Sequence, residues 1–326
     1  MKITITGADG LLGSNLVRVL LERGHQIRAL VQQGRHPKTI MDLNIELAEG
    51  DILNLESLRR AAEGAEAIFH LAAHTGTWPA RSEIVRKVNI EGTKNVLSVA
   101  KEISVKRMIY IGTASTFGFG TKENPGKEGN PYKSGHYGMD YLDSKYIAHQ
   151  LVMQAIGEGL PAVVLNPTFM LGPYDSAPSS GAMVLAIYKE MLPGYAPGGR
   201  NFVCVKDAAV GISNALVKGR IGECYIIGNK NMSYQEVFSL MATTLGVKRP
   251  SIRMPKSLVL AYGLLAHSSA KLLGNSPTVS YPMAKISCDS HYYTAEKAVK
   301  ELGLPQSPIE EGILECINWM KSNGIA

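Results

Sequence analysis

Tyr141-Leu142-Asp143-Ser144-Lys145 places a phenol and an ammonium four residues apart in a segment with helical spacing. Positions i and i+4 share one helix face, so both polar tips reach the same space. A lysine cation beside a phenol lowers its pKa from about 10 toward neutrality. Tyr141 then serves as a proton donor in a reduction or an acceptor in an oxidation. Tyr137 is a competing phenol, but it has no lysine four residues on. Upstream, Ile109-Tyr110-Ile111-Gly112-Thr113-Ala114-Ser115 is an apolar run that ends in hydroxyls. Thr113 is suited to hydrogen-bond and polarise a substrate carbonyl, and Ser115 offers the same group two residues later. Alone, such a Tyr/Lys pair is usually a surface pair, and a hydroxyl after a strand is usually a cap. Their joint occurrence is what points to chemistry.

A second constellation concerns phosphate. Thr6-Gly7-Ala8-Asp9-Gly10-Leu11-Leu12-Gly13 has glycines three apart where the first apolar strand meets the first helix. Gly7 permits the tight turn, Gly10 lets backbone approach a pyrophosphate, and Gly13 allows close helix–strand packing. The free N–H groups at the helix start, around Leu11 and Leu12, attract the phosphates. The strand His25–Val31 ends in Gln32-Gln33, with no acid to accept from a ribose 2′-hydroxyl. Arg28, Arg35, His36 and Lys38 supply cations instead. This pattern favours NADP(H), with NAD(H) left open. Asp51, followed by Ile52, either accepts from the adenine amino group or caps a helix beginning near Leu55.

These residues require a scaffold of alternating strands and helices. Strands are expected at Ile3–Thr6, His25–Val31, Ala67–Leu71, Lys106–Gly112 and Ala162–Leu165, and helices at Leu11–Arg23, Leu55–Ala62, Ile84–Ile103 and Tyr141–Gly157. Such alternation implies an α/β fold, a doubly wound parallel Rossmann sheet over residues 1–166. Beyond Asn166, Pro and Gly become dense and predict loops up to Gly199. Helical patterns return at Tyr234–Leu245, Lys256–Leu273 and Pro308–Lys321. Residues 167–326 read as a smaller mixed α/β substrate lobe. Strands at Asn201–Val205 and Cys224–Ile227 are expected to return to the first sheet.

The chain has 326 residues and a formal net charge of +6, but no block of Lys and Arg interleaved with aromatics, which argues against nucleic acid. Its four cysteines form no C-x-x-C pair and sit near no histidine at metal-ligand spacing. They read as reduced, mostly buried thiols of a cytoplasmic protein, with no metal expected. The apolar stretch Leu258–Ala266 is too short to span a bilayer and reads as a buried helix in preference to one lying on a membrane.

Taken in this order and spacing, the glycine cradle, the hydroxyl-bearing strand end and Tyr-x-x-x-Lys resemble the extended short-chain dehydrogenase/reductase superfamily, the NAD-dependent epimerase/dehydratase family. His70-Leu71-Ala72-Ala73 is similar to the family segment that lines the cofactor. Asn89-Ile90-Glu91-Gly92-Thr93 resembles its helix signature, and Asn166-Pro167-Thr168 its segment beside the nicotinamide. Leu71, Ala72, Ala73, Asn89 and Pro167 are thereby implied to contact cofactor, and Lys145 to hold its ribose. Ile27–Val31 and Arg220–Gly228 resemble the dihydroflavonol-reductase-like branch, which implies NADPH-linked reduction of ketones or aldehydes, or sterol-type alcohol oxidation. Two departures stand out. Thr113 replaces the family's usual Ser, and Gln32 replaces the branch's basic residue, leaving Arg35 as its substitute. The resemblance also implies homodimerisation through the helices at Ile84–Ile103 and Tyr141–Gly157.

Crevice loops carry Thr75, Trp78, Phe117, Phe119, Tyr137, Phe169, Met170 and Tyr174, which predict a hydrophobic carbonyl substrate. The leading reading is thus an NADP(H)-dependent carbonyl reductase. The alternative is a nucleotide-sugar epimerase or dehydratase with tightly held NAD, for which Arg200 would meet a diphosphate. Dehydration is disfavoured because Ala114-Ser115 supplies no acid pair. A non-catalytic dinucleotide-binding scaffold is the third reading, and the intact Thr113, Tyr141 and Lys145 weigh against it.

Overall fold

Strand residues of the first half alternate between two apolar layers. Ile3, Ile5, Phe69, Ile109, Val163 and Leu165 enter one core, whereas Ile68, Met108, Tyr110 and Val164 enter the other. Side chains two apart share a face, so a strand apolar on both faces must be covered on both. The computed structural model, which describes residues 1–326, has this arrangement. The chain runs β1 (Lys2–Thr6), α1 (Leu11–Glu22), β2 (Gln26–Val31), β3 (Glu46–Glu49), α2 (Leu55–Ala62) and β4 (Ala67–His70). It continues through α3 (Glu83–Arg86), a π turn (Lys87–Glu91), α4 (Gly92–Glu102), β5 (Arg107–Ile111), α5 (Asp140–Gly157) and β6 (Ala162–Pro167).

The second half comprises β7 (Phe169–Leu171), α6 (Gly181–Tyr188), β8 (Gly194–Tyr195), β9 (Gly199–Cys204), α7 (Val205–Lys218) and β10 (Cys224–Ile227). Then come β11 (Lys230–Ser233), α8 (Tyr234–Leu245), β12 (Ile252–Arg253), α9 (Lys256–Leu273), α10 (Tyr281–Cys288), β13 (Ser290–His291), α11 (Glu296–Leu302) and α12 (Ile309–Ser322). The main sheet has seven parallel strands in the order β10-β6-β5-β4-β1-β2-β3. Its strand order reverses at β1, so the crevice opens beyond the carboxyl ends of β1 and β4. A smaller sheet, β11-β9-β13 with β7 beside β9, anchors a third core that holds Cys204 and Cys316.

Four features differ from the expectation. The strand predicted at 201–205 runs Gly199–Cys204 and pairs within the smaller sheet, so only β10 returns to the large one. The Pro/Gly-dense stretch contains α6 between its loops, because Gly181–Tyr188 has no internal proline. The predicted helix Ile84–Ile103 is interrupted by a π turn at Lys87–Glu91. The segment read as a buried helix is α9, and only Val259, Gly263 and Ala270 of it are buried. The eight-residue α10 that packs on it is too short to cover the rest.

The β1–α1 connection leaves no room for a side chain at Gly7 or Gly13. Gly7 has φ +74°, and a Cβ there would lie 2.7 Å from the Ala72 nitrogen. A Cβ on Gly13 would lie 2.1 Å from the Gly7 oxygen. Gly13→Ala is therefore expected to lower unfolding stability by at least about 1–3 kcal/mol, read by urea denaturation. Unchanged stability would contradict the close packing of α1 on this turn.

Candidate active site

The crevice holds a cleft of about 940 Å³ lined from both halves of the chain. Thr113, Tyr141 and Lys145 all face it. So do Gly7, Gly10, Leu11, Leu12, Gly13, Gln32, Arg35, Asp51, Ile52, Leu71, Ala72, Ala73 and Pro167. Asn89 does not line the cleft but braces it. Its side chain accepts from the His74 backbone N–H at 2.7 Å and donates to the Ser144 hydroxyl at 2.9 Å. Asn89 lies within the π turn at Lys87–Glu91, a kind of turn frequent at functional sites.

The glycine at position 10 tests whether a dinucleotide fits. Its φ is −81°, which any residue adopts, and a Cβ would meet only the Gly7 oxygen at an ordinary 3.6 Å. Nothing within the protein requires glycine there, yet a Cβ would occupy the cleft at the head of α1. No side chain caps that helix. Its free N–H groups and positive dipole end are therefore open to an anion. The residues fit a bound pyrophosphate.

At the end of β2, Arg35 pairs with Asp9 at 3.0 Å, which holds the guanidinium beside the cradle. Gln32 reaches Asp51 at 3.5 Å. Asp51 does not cap α2. Its carboxylate accepts from Leu53 N–H, while Asn54 caps the helix by accepting from Ser57 N–H at 3.0 Å. Of the other cations near β2, Arg28 is committed to Glu46 at 2.7 Å, and Arg28, His36 and Lys38 lie outside the cleft.

The first turn of α5 is fixed from outside. The buried Asp140 carboxylate accepts from Ser82 N–H at 2.7 Å and from Arg81 at 2.9 Å. Asp140 also complements the helix N-terminus. One residue on, Tyr141 enters the cleft. Burial raises the Tyr141 pKa above its ordinary value, opposed by hydrogen bonding to Thr113 and by the charge of Arg200. This reverses the expected lowering by Lys145. The Lys145 ammonium instead donates to the Ile111 carbonyl at 2.8 Å and lies 4.9 Å from the Tyr110 ring centre. Burial lowers the pKa of Lys145 to about 8. Beneath it, buried His70 is held neutral, its pKa pushed down to about 3, and its ring nitrogens meet the Thr6 and Thr93 hydroxyls.

The expected substrate residues divide. Thr75, Phe169 and Met170 line the cleft. Trp78, Phe117 and Tyr174 do not, and packing elsewhere explains each. Trp78 meets His267 of α9 edge-on, with ring centres 4.9 Å apart. Phe117 is buried with Ala114, Ile226 and Tyr293. Tyr174 lies under the Arg18 guanidinium at 3.9 Å. Tyr137 and Phe119 are likewise outside the lining: Tyr137 donates to Asp289 at 2.7 Å, and Phe119 packs on His291. Met283 and Ile286 of α10, His291 and Tyr293 complete the wall and were missed. They come from a segment with no recognisable spacing signal. Arg200 also lines the cleft, its Nε donating to the Tyr234 hydroxyl at 2.8 Å.

A family model described as the NAD dependent epimerase/dehydratase family matches residues 3–228. The chain is 34% identical over 327 residues to a putative dihydroflavonol 4-reductase of Synechocystis sp., covering 98% of this chain and 94% of that protein. It is 25% identical over 331 residues to sterol demethylase protein B of Methylococcus capsulatus, covering 100% of both. The crystal structure of gox2253 superimposes with a TM-score of 0.87 at 33% identity, covering 99% of this chain and 98% of that one. No helix of the chain is long and apolar enough to cross a membrane.

The lysine yields a pH test. With its pKa lowered to about 8, Lys145 is an ammonium below that pH and neutral above it. If it holds the ribose, NADPH affinity should fall as pH rises through that value, by up to about tenfold per unit. Lys145→Met should bind more weakly at neutral pH and lose this dependence. Fluorescence titration across the range reads both, and a wild-type affinity flat through that pH would remove Lys145 from cofactor binding.

Proposed function

This chain is an enzyme of the NAD dependent epimerase/dehydratase family, and on that premise we propose that it is an NADP(H)-dependent reductase of a hydrophobic ketone or aldehyde. The observation that carries this reading is the convergence of Thr113, Tyr141 and Lys145 on one cleft with an uncapped, glycine-lined helix start. The bound nicotinamide supplies or accepts hydride. Thr113 holds the carbonyl oxygen and Tyr141 protonates it. A phenol kept above its ordinary pKa stays protonated at neutral pH, which suits reduction. Lys145 holds the ribose. Phe169, Met170, Met283 and Ile286 offer an apolar wall to the substrate. The names of the relatives support a reductase, and one of them carries a sterol in its name. The preference for NADP(H) rests on Gln32 and Arg35 following β2, which does not end in the Asp or Glu that would accept from a 2′-hydroxyl.

The second reading is a nucleotide-sugar epimerase that retains NAD. Arg200 favours it, because a cation in the cleft suits a diphosphate.

Purified protein titrated with NADPH and NADH should bind NADPH preferentially and reversibly, and should then turn over members of a ketone and aldehyde panel. NAD that survives purification would overturn the reductase reading in favour of the epimerase. Tyr141→Phe should keep cofactor binding and lose roughly 10²–10⁴-fold in turnover. Arg35→Ala should weaken NADPH by about tenfold or more and leave NADH unchanged. Equal loss for both cofactors would remove Arg35 from 2′-phosphate recognition.

A further inference from the structure

Helix α9 presents an apolar stripe to solvent. Leu258, Tyr262, Leu265 and Leu272 follow one another at helical spacing and are 55%, 53%, 71% and 88% exposed. Leu264 and Leu273 flank the stripe at 51% and 71%. The opposite side of the helix is its packed face. A Cβ on Gly263 would lie 2.4 Å from the Ala284 side chain, so α9 and α10 approach closely there. The outward apolar residues therefore have no partner within the chain.

Charge identifies what would cover them. From Val237 to Cys288 there is no Asp or Glu, while Lys248, Arg249, Arg253, Lys256, Lys271 and Lys285 supply six cations. That count equals the formal net charge of the whole chain, +6. All but Lys285 are exposed. Among them, Lys256 has Asp289 within 3.8 Å as a partial counter-charge. Glu190, whose carboxylate accepts from the Lys248 backbone N–H, is a second nearby acid. An apolar stripe within a stretch that carries six cations and no acid of its own is the pattern of a helix that lies in the interface of an anionic bilayer. A second copy of this chain would bring the same cations against themselves.

We propose that α9 docks this protein onto anionic lipid surfaces, with its leucine stripe in the acyl boundary and the flanking Lys and Arg at the headgroups. The proposal makes no assumption about the reaction. It does place the cleft one helix away from lipid, since α10 packs on α9 and contributes Met283 and Ile286 to the lining. Trp78, two residues beyond cleft-lining Gly76, touches His267 of α9.

The test is flotation of the full chain with phosphatidylcholine vesicles, pure or containing about a third phosphatidylglycerol. The expected result is co-flotation with the anionic vesicles, weakened by high salt. Combined Leu258→Ser, Leu265→Ser and Leu272→Ser should cut that binding by at least about tenfold. Arg249→Glu with Lys271→Glu should also release the chain from anionic vesicles. Unchanged circular dichroism melting and NADPH binding would show that both variants are folded. If the leucine variant does not fold, the charge variant and the salt dependence decide. Wild-type protein that stays unbound on both vesicles overturns the proposal. So does binding that neither variant alters, or light scattering that shows a dimer split by the leucine substitutions.

Discussion

The approach of two backbones at the β1–α1 turn sets the geometry of everything around the cleft. With Gly13 against the Gly7 carbonyl and Gly7 against Ala72, helix α1 starts directly over the sheet. A side chain at either position would lift α1 away and draw its N-terminus off the crevice. The same contact brings the ends of β1 and β4 together, and the Ala72 N–H donates to the Thr6 hydroxyl at 3.2 Å. Gly10 is the informative contrast. It is the glycine that protein packing does not require, so its reason lies in what the cleft receives.

Around Tyr141 and Lys145, buried polar groups act as braces. Asp140 fixes the start of α5, and Asn89 ties α5 to the His74 loop. Each is satisfied by backbone N–H or hydroxyl partners, which keeps a buried polar group from destabilising the fold. Burial in the resulting pocket moves two pKa values in opposite directions. Tyr141 rises and Lys145 falls, both because burial disfavours the charged form. The two groups, close together as free side chains, are thereby driven apart, so that the phenol stays protonated over the range in which the lysine loses its proton.

Most of the large sheet was legible in the sequence, because parallel strands covered on both faces are near-continuous apolar runs and the turns between them are marked by glycine. That the cradle, Thr113, Tyr141 and Lys145 face one cleft was legible because the spacing within each motif is local. Three things were not. The sign of the shift at Tyr141 depends on burial, set against the Thr113 hydrogen bond and the Arg200 charge, none of which is a property of the Tyr–Lys spacing. The wall formed by Met283, Ile286, His291 and Tyr293 is assembled from more than a hundred residues downstream of Tyr141. Phe117 and Tyr174 were misplaced because an aromatic on a loop packs wherever the nearest cover lies, and here that was the core and Arg18.

The return of β10 to the large sheet has a consequence for how the chain is made. β6 finishes at Pro167, but its neighbour begins only at Cys224. In between, the ribosome delivers β7 and β9, which belong to the smaller sheet, and α7, which packs on α1 over the large one. Throughout that interval β6 is an edge strand with an unpaired ladder and a β-branched, apolar sequence, Ala162-Val163-Val164-Leu165, of the kind that recruits other chains. A nascent chain or proteolytic fragment that stops near residue 167 would carry that open edge into solution. The sheet of the first half is thus completed only when the chain has passed Ile227, well into the second half.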